Sequence, residues 1–157
     1  MRENQPPADK QRARWRIYRQ PERVQIVDDQ TVGARLHLNG VGWHSDTAPE
    51  SGNHDGGCFW TESGDGSRSA VWRSDNPMMG TYRVSVFYGR PRAGKLASNA
   101  SYTIATESGS ETIRVNFNRG MGEWNLIGTF KDPRYVSLNN AADGVILVDA
   151  VKFERLD

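Results

Sequence analysis

The feature that most constrains this chain is a succession of short runs in which apolar and polar residues alternate. In residues 80–88, Tyr82, Val84 and Val86 fall on one side of such a run, and the polar residues between them fall on the other. Alternation with a period of two predicts half-buried β-strands, because successive strand side chains point to opposite faces. Further strand-like runs occur at residues 124–130, 135–138 and 142–153. No segment has a helical period, so we expect an all-β fold.

The composition favours short strands that pack as two sheets. Apolar residues make up 36% of the 157 residues and glycine occurs 16 times, which suits strands joined by many turns better than packed helices. Turn pairs such as Asn39-Gly40 and Asn76-Pro77 separate the runs. The sequence therefore predicts an antiparallel β-sandwich. We assign residues 24–157 to this single domain, which is long enough to bury its own core.

The N-terminal segment differs from the rest of the chain in charge. Residues 1–23 contain seven Lys and Arg against three Asp and Glu, and we interpret them as a basic lead or linker with room for one extra strand. Within it, Arg14–Arg19 alternates arginine with large apolar residues. This strip has two interpretations: a surface that docks another protein or a second copy, or a half-buried strand whose arginines face water.

Bulk properties limit the partners and the compartment. The net charge of +1 gives the molecule no overall attraction for polyanions, so we expect no nucleic-acid partner. Cys58 is the single cysteine, which excludes an intrachain disulfide. The first residues lack an apolar stretch, so no signal peptide is expected in this chain. The longest apolar run, residues 145–148, is too short for membrane insertion.

Six segments together resemble the golvesin C-terminal domain, also described as a xanthan-lyase carbohydrate-binding-like domain. The resemblance covers about residues 24–155. It rests on residues 26–29, 80–84, 98–104, 123–130, 139–144 and 149–153. It implies a galactose-binding-like jelly-roll that is non-catalytic and appended to a larger bacterial protein. It also implies a polysaccharide or glycan partner and an extracellular or cell-envelope location.

Catalytic and nucleotide-binding signatures are weak. There is no Gly-x-Ser-x-Gly sequence of the kind that marks many serine hydrolases. Residues 89–95 fit the first seven positions of a phosphate-binding loop, but Leu96 replaces the hydroxyl residue that would meet magnesium. No helix is predicted after this loop, and a helix N-terminus is half of such a site. We therefore expect that the domain is not an enzyme.

Two acidic residues are candidates for a structural calcium site. The resemblance implies that the first and last strands are neighbours, and these strands end at Asp28 and contain Asp149. Calcium takes six to eight oxygen ligands, so the alternative is that Asp149 accepts backbone N–H groups at a sheet end. A second set, His44, Asp46, His54, Asp55 and Cys58, lacks the paired spacing of a zinc site.

The aromatic residues suggest where a sugar would bind. A sugar ring presents an apolar C–H face, so its site needs a Trp or Tyr beside polar groups. Trp43 and Trp60 lie next to polar loops and are the candidate platform, although core packing explains them equally well. The candidate polar rim consists of His44, Tyr88, Arg90 and Asn99. Trp72 and Trp124 lie within strand patterns, so we assign them to the core.

Two functions remain open from the sequence. The first is a non-catalytic carbohydrate-binding module that binds a polysaccharide through its loop aromatics. The alternative is a structural or assembly domain that mediates protein–protein or oligomer contacts as an appendage of a larger bacterial protein.

Overall fold

A computed structural model of the chain describes residues 23–28, 35–74 and 76–156. The expected basic lead at 1–23, with its Arg14–Arg19 strip, lies outside these residues except for Arg23. Two short 3₁₀ turns, at Pro49–Ser51 and His54–Gly56, are the helical segments of the described part. No helix there is long and apolar enough to cross a membrane. The strands are β1 (Val24–Val27), β2 (Leu36–Asn39), β3 (His44–Asp46), β4 (Cys58–Thr61), β5 (Ser69–Arg73), β6 (Thr81–Phe87), β7 (Ala100–Thr106), β8 (Gly109–Val115), β9 (Trp124–Lys131), β10 (Pro133–Asn139), β11 (Ile146–Val148) and β12 (Ala150–Arg155).

The strands form three antiparallel sheets. A four-stranded sheet has the order β1-β12-β6-β9, a five-stranded sheet has the order β2-β5-β10-β7-β8, and a three-stranded sheet has the order β11-β4-β3. Residues 89–95 are followed by an isolated parallel bridge between Leu96 and Val145, not by a helix. The predicted all-β, antiparallel, jelly-roll sandwich is confirmed, and its first and last strands are hydrogen-bonded neighbours.

The core lies between the four-stranded and five-stranded sheets. Val84, Val86 and Phe153 face it from one sheet, and Trp72 and Tyr102 face it from the other; all are almost completely buried. Their intervening neighbours on the strands are mostly more exposed, as the alternation predicts. Burial raises the pKa of Tyr102 well above its ordinary value, with smaller contributions from Tyr88 and Asp149.

The last apolar run differs from the prediction, because it is two strands and not one. β11 pairs with β4 in the three-stranded sheet, whereas β12 pairs with β1 and β6 in the four-stranded sheet. Asp149 lies between them, and its backbone oxygen accepts a hydrogen bond from the Trp72 indole at 3.3 Å. The chain therefore passes from one sheet to the other at a buried residue whose carbonyl is satisfied by the core.

Candidate functional site

Several of the predicted site residues lie at the three-stranded sheet and the segments next to its strands, and we call this cluster the platform. It consists of Trp43, His44, Trp60, Glu62 and Arg68. β3 is the edge strand of this sheet, and its register places His44 directly opposite Trp60. Cross-strand partners on one face lie close enough for their side chains to touch. The platform is therefore built by the pairing of β3 with β4.

The centre of the platform is a stacked aromatic pair. The rings of His44 and Trp60 are parallel to within 24°, with centroids 4.1 Å apart. Trp60 and Trp43 are half-buried and pack against the hydrophobic core. The Trp43 indole donates to the backbone oxygen of Asn39 at 3.0 Å. Each of these two side chains contacts the core and retains some exposure, so both interpretations of the tryptophans stay open.

Charged groups flank the stacked pair. Glu62 accepts from His44 Nε2 at 3.1 Å and from Arg68 Nη1 at 3.3 Å. The Glu62 side chain is 58% exposed. Its pKa lies below the ordinary value, first because of a backbone hydrogen bond at Glu62 and further because of His44 and Arg68. The platform therefore presents an ionised acceptor and a guanidinium donor beside an aromatic surface.

Gly42 allows Arg68 to reach this position. Its φ of +97° is in a region that favours glycine, and a Cβ there would lie 2.6 Å from Arg68 Nη2. Arg68 also donates to Thr61 Oγ1 at 2.6 Å, and Thr61 in turn donates to the Gly42 oxygen at 3.4 Å. The glycine thus leaves the space in which the guanidinium packs beside β4.

Glu62 and Arg68 were missed by the sequence reasoning. Alternation gave a signal for Glu62, because it follows Trp60 by two residues and strand neighbours at that spacing share a face. No local pattern gave a signal for Arg68. Its position depends on the loop between β4 and β5, which a distant residue, Asn140, holds in place. The Asn140 side chain is buried. Its oxygen accepts hydrogen bonds from the backbone N–H groups of Gly66 and Arg68, and its nitrogen donates to the backbone oxygen of Glu62.

Tyr88 corrects one prediction, because it lies in the core and not on the rim. It is 2% exposed, and its ring packs edge-on against Phe117 at 4.8 Å. Its hydroxyl donates to the Arg119 oxygen at 2.7 Å. Burial raises the pKa of Tyr88, with a smaller contribution from Glu123. Tyr88 continues the inward-facing positions of Val84 and Val86, so the ring offers no face to a ligand.

Arg90 and Asn99 lie apart from the stacked pair. Arg90 is exposed, and its backbone N–H donates to the Ser51 oxygen at 2.7 Å. Asn99 is half-buried and accepts from the Asp143 N–H at 2.9 Å. Asp143 in turn accepts from the backbone and the hydroxyl of Ser98. Asn99 thus belongs to a clamp between two loops. Within the described residues, no side-chain hydrogen bond, ion pair or ring contact joins Arg90 or Asn99 to the platform.

The two tryptophans assigned to the core have different outcomes. Trp72 is completely buried, as predicted. Trp124 is half-buried on the outer side of the four-stranded sheet, so its assignment to the core is wrong. Its ring contacts Phe87 and His54 edge-on, and the Lys152 ammonium lies 4.7 Å from its centroid. The reason is a β-bulge in β9, where the register with β6 shifts.

The candidate calcium residues meet at His54. Its ring Nδ1 lies 3.0 Å from Asp28 Oδ2, and its backbone N–H donates to Asp149 Oδ2 at 2.9 Å. Both aspartates are buried. Asp149 therefore accepts a backbone N–H, which is the alternative that the sequence left open to calcium.

A different trio could offer metal ligands at the same place. Among the residues that the structure describes, Asp28, His54 and Asp55 bring ligand atoms within 4.8 Å of one another. An imidazole nitrogen is unlike the oxygen ligands that calcium takes, so this trio adds no support for calcium. A structural calcium near Asp28 and Asp149 stays a prediction.

The fold and the site define an antiparallel β-sandwich module with an aromatic and charged surface patch. The sequence profile of the Golvesin C-terminal domain matches residues 25–155, which is most of the chain. The chain therefore belongs to the Golvesin C-terminal domain family. A search of curated protein sequences finds no match.

Similar folds occur in solved structures of larger proteins. A Paenibacillus xanthan lyase has a TM-score of 0.74 and 23% identity, and the match covers 85% of this chain and 13% of the lyase. The catalytic domain of a GH87 α-1,3-glucanase has a TM-score of 0.46 and 11% identity, with 87% and 29% covered. A Clostridium thermocellum xylanase with a CBM22-1 module has a TM-score of 0.42 and 15% identity, with 78% and 26% covered. The last two likenesses are too weak to support an argument.

Proposed function

We propose that this domain is a non-catalytic carbohydrate-binding module that attaches a larger protein to a polysaccharide. The observation that supports this most directly is the His44–Trp60 stack beside the Glu62–Arg68 ion pair. The stack offers an aromatic surface for the C–H face of a sugar, and the ion pair offers an acceptor and donors for its hydroxyls. A polysaccharide ligand also implies a location outside the cell or in the cell envelope.

The family and the fold neighbour are compatible with this proposal. The chain is similar in fold to a segment of a xanthan lyase that makes up 13% of that protein. A module of this relative size suits an accessory role, in which catalysis belongs to the rest of the larger protein. The fold by itself does not supply a function, so the platform must be tested directly.

The test is affinity electrophoresis of the purified domain in gels that contain single soluble polysaccharides. Trp60→Ala should lower the affinity for a retarding polysaccharide by at least about tenfold, the expected loss for an aromatic contact that is removed from a site. His44→Ala and Glu62→Gln change exposed side chains and should weaken binding without unfolding the protein. Trp124→Ala is the matched control, because Trp124 is half-buried on the outer side of the four-stranded sheet and is not part of the platform. Unchanged binding by all three platform variants would refute the proposed site.

An assembly role is the second candidate function, and one surface favours it. Leu126 is 59% exposed and Val24 is 41% exposed on the outer side of the four-stranded sheet. Strand register places Ser85 and Lys152 between Leu126 and the half-buried Ile26. Exposed apolar groups on a sheet face suit contact with another domain. Sedimentation over a range of protein concentrations tests this role. Self-association would support assembly of identical copies. If the protein is a monomer and binds no glycan, the remaining form of the assembly role is docking to a different domain.

A further inference from the structure

The outer face of the five-stranded sheet is a second surface with the chemistry of a binding site. Strand register aligns its outward side chains in rows across β2, β5, β10, β7 and β8. One row is His37, Val71, Ser137, Thr103 and Thr112. Beside it, Asn39, Ser69 and Asn139 are aligned across three strands, and Ser101 is paired with Arg114 on the other two. Most of these residues are small and polar, which leaves room above the sheet.

That room is a groove of about 310 Å³ along β5 and β10. Hydroxyl and amide side chains line most of it, and Arg73 with Tyr135 closes one end. The Arg73 guanidinium lies over the Tyr135 ring at 4.6 Å. Arg73 also lines a second cavity of about 730 Å³ beside Met79 and Arg134, so the two hollows adjoin. At the strand rise of about 3.3 Å per residue, the 7 residues of β10 give a surface roughly 23 Å long.

The charge on this face has one sign. Of the outward residues of the five strands, Arg73 and Arg114 carry formal charge and none is Asp or Glu. Among the residues that the structure describes, neither guanidinium forms an ion pair. By contrast, Arg134 at the edge of the second cavity is held by Glu107 at 2.6 Å. The face therefore complements an anionic ligand that also offers many hydroxyl groups.

From this arrangement we propose that the groove binds a polysaccharide whose sugars carry carboxylates. Arg73 binds a carboxylate through the edge of its guanidinium, and Tyr135 holds that guanidinium flat. The Ser, Thr and Asn side chains exchange hydrogen bonds with sugar hydroxyls along the groove. Arg114 binds a second carboxylate on the other side. This inference rests on the proposed carbohydrate-binding function and adds to it the charge class of the ligand.

A hydrogen-bonded path joins the groove to the platform. The Asn39 side chain donates to Ser69 Oγ at 3.0 Å, and Ser69 lines the groove. The Asn39 backbone oxygen accepts from the Trp43 indole at 3.0 Å. One polymer can thus contact the platform with some of its sugars and the groove with others, and several weak contacts then add to one affinity.

The test compares two forms of one polymer, polygalacturonate and its methyl ester, by titration calorimetry with the intact chain. We expect the acid form to bind and the ester to bind at least about tenfold more weakly, as for loss of charge-assisted hydrogen bonds. Arg73→Gln should lower the affinity for the acid form by a similar factor. Arg83→Gln is the matched control, since Arg83 is exposed on the other sheet. Added NaCl should weaken binding of the wild type more than binding of Arg73→Gln.

Each outcome decides a different point. Equal binding of the acid and the ester, or equal losses for Arg73→Gln and Arg83→Gln, would overturn the groove proposal. Binding of a neutral glucan through Trp60, with no effect of Arg73→Gln on any ligand, would overturn it and leave the proposed function intact. Failure of the folded chain to bind any polysaccharide would overturn both. Tyr135→Phe should retain binding and Tyr135→Ala should weaken it, because the ring and not the hydroxyl supports Arg73.

Discussion

Asn140 makes the strongest test of how the platform is held. It is 3% exposed and lies 78 residues from Glu62 in the sequence. Its side chain makes three hydrogen bonds to the loop between β4 and β5, at 3.0 Å to Gly66 N, 3.3 Å to Arg68 N and 3.2 Å to Glu62 O. This loop includes both charged residues of the platform. The substitution Asn140→Ala should therefore reduce both stability and ligand affinity.

The stability loss can be worked from these bonds. Each hydrogen bond contributes about 0.5–1.5 kcal/mol net, so losing the three should lower the free energy of unfolding by roughly 1.5–4.5 kcal/mol. The upper part of this range is expected, because the abandoned backbone groups lie against a buried side chain and are poorly placed to find water. The affinity should fall as well, because Glu62 and Arg68 lose their fixed positions.

The measurement is urea unfolding followed by tryptophan fluorescence near neutral pH. Asn139→Ala is the matched control: Asn139 is exposed and accepts one local bond, from Ala141 N at 2.8 Å. Its substitution should cost less than about 1 kcal/mol. If Asn140→Ala costs no more than Asn139→Ala, with an unchanged slope against urea, Asn140 does not hold the loop as argued.

Two further predictions concern the loop at residues 142–145. A Cβ at Gly144 would lie 2.7 Å from the Lys95 backbone oxygen and 2.8 Å from the Ala97 backbone nitrogen. Gly144→Ala should therefore separate the Leu96–Val145 bridge and lower the free energy of unfolding, measured in urea, by about 1–3 kcal/mol. A loss below about 0.5 kcal/mol would show that the loop moves aside freely. The pKa of Asp143 lies below its ordinary value of 3.8, chiefly because of the Ser98 hydroxyl and then the Ser98 N–H. Because this pKa is lower in the folded protein than in the unfolded chain, the carboxylate stabilises the fold at pH values above the unfolded-state pKa. This stabilisation is lost as the pH falls through the folded-state pKa. The stability difference between wild type and Asp143→Asn should therefore shrink below about pH 4, and a difference that stays constant across an acid titration would contradict this.

Alternation predicted strands well where the pairing is regular and failed where it shifts. β9 shows the failure: a strict period of two would place Trp124, Leu126 and Phe130 on one face. The register between β6 and β9 shifts between Val84 and Ser85, so that Leu126 is exposed while Phe130 is buried. A β-bulge inserts one residue and exchanges the faces beyond it. Gly128 pairs with Val84 at the shift, and a glycine inside a strand pattern often marks a bulge. This signal was not used, which is why Trp124 was assigned to the core.

The prediction for Tyr88, directly after the end of β6, failed for a different reason. Tyr88 continues the alternation of β6 by parity with Val84 and Val86, and it is buried as they are. Its position beside a basic loop suggested a rim residue instead. Alternation was the better guide there, because the residue directly after a strand can keep the core-facing side that the alternation gives it. Composition of the neighbouring loop says little about which way that ring points.

The platform itself could be predicted only in part, for a physical reason. His44 and Trp60 were identified because they lie beside polar loops, where an aromatic residue can meet a sugar, yet their stacking required the register of β3 on β4. Arg68 required more: a glycine at position 42 that leaves space for its guanidinium, and Asn140 to shape its loop. The outer face of the five-stranded sheet required the register of five strands. A site made of separate segments can be identified only when the strand pairings that join them are known, whereas most core residues can be identified from the alternation within each segment.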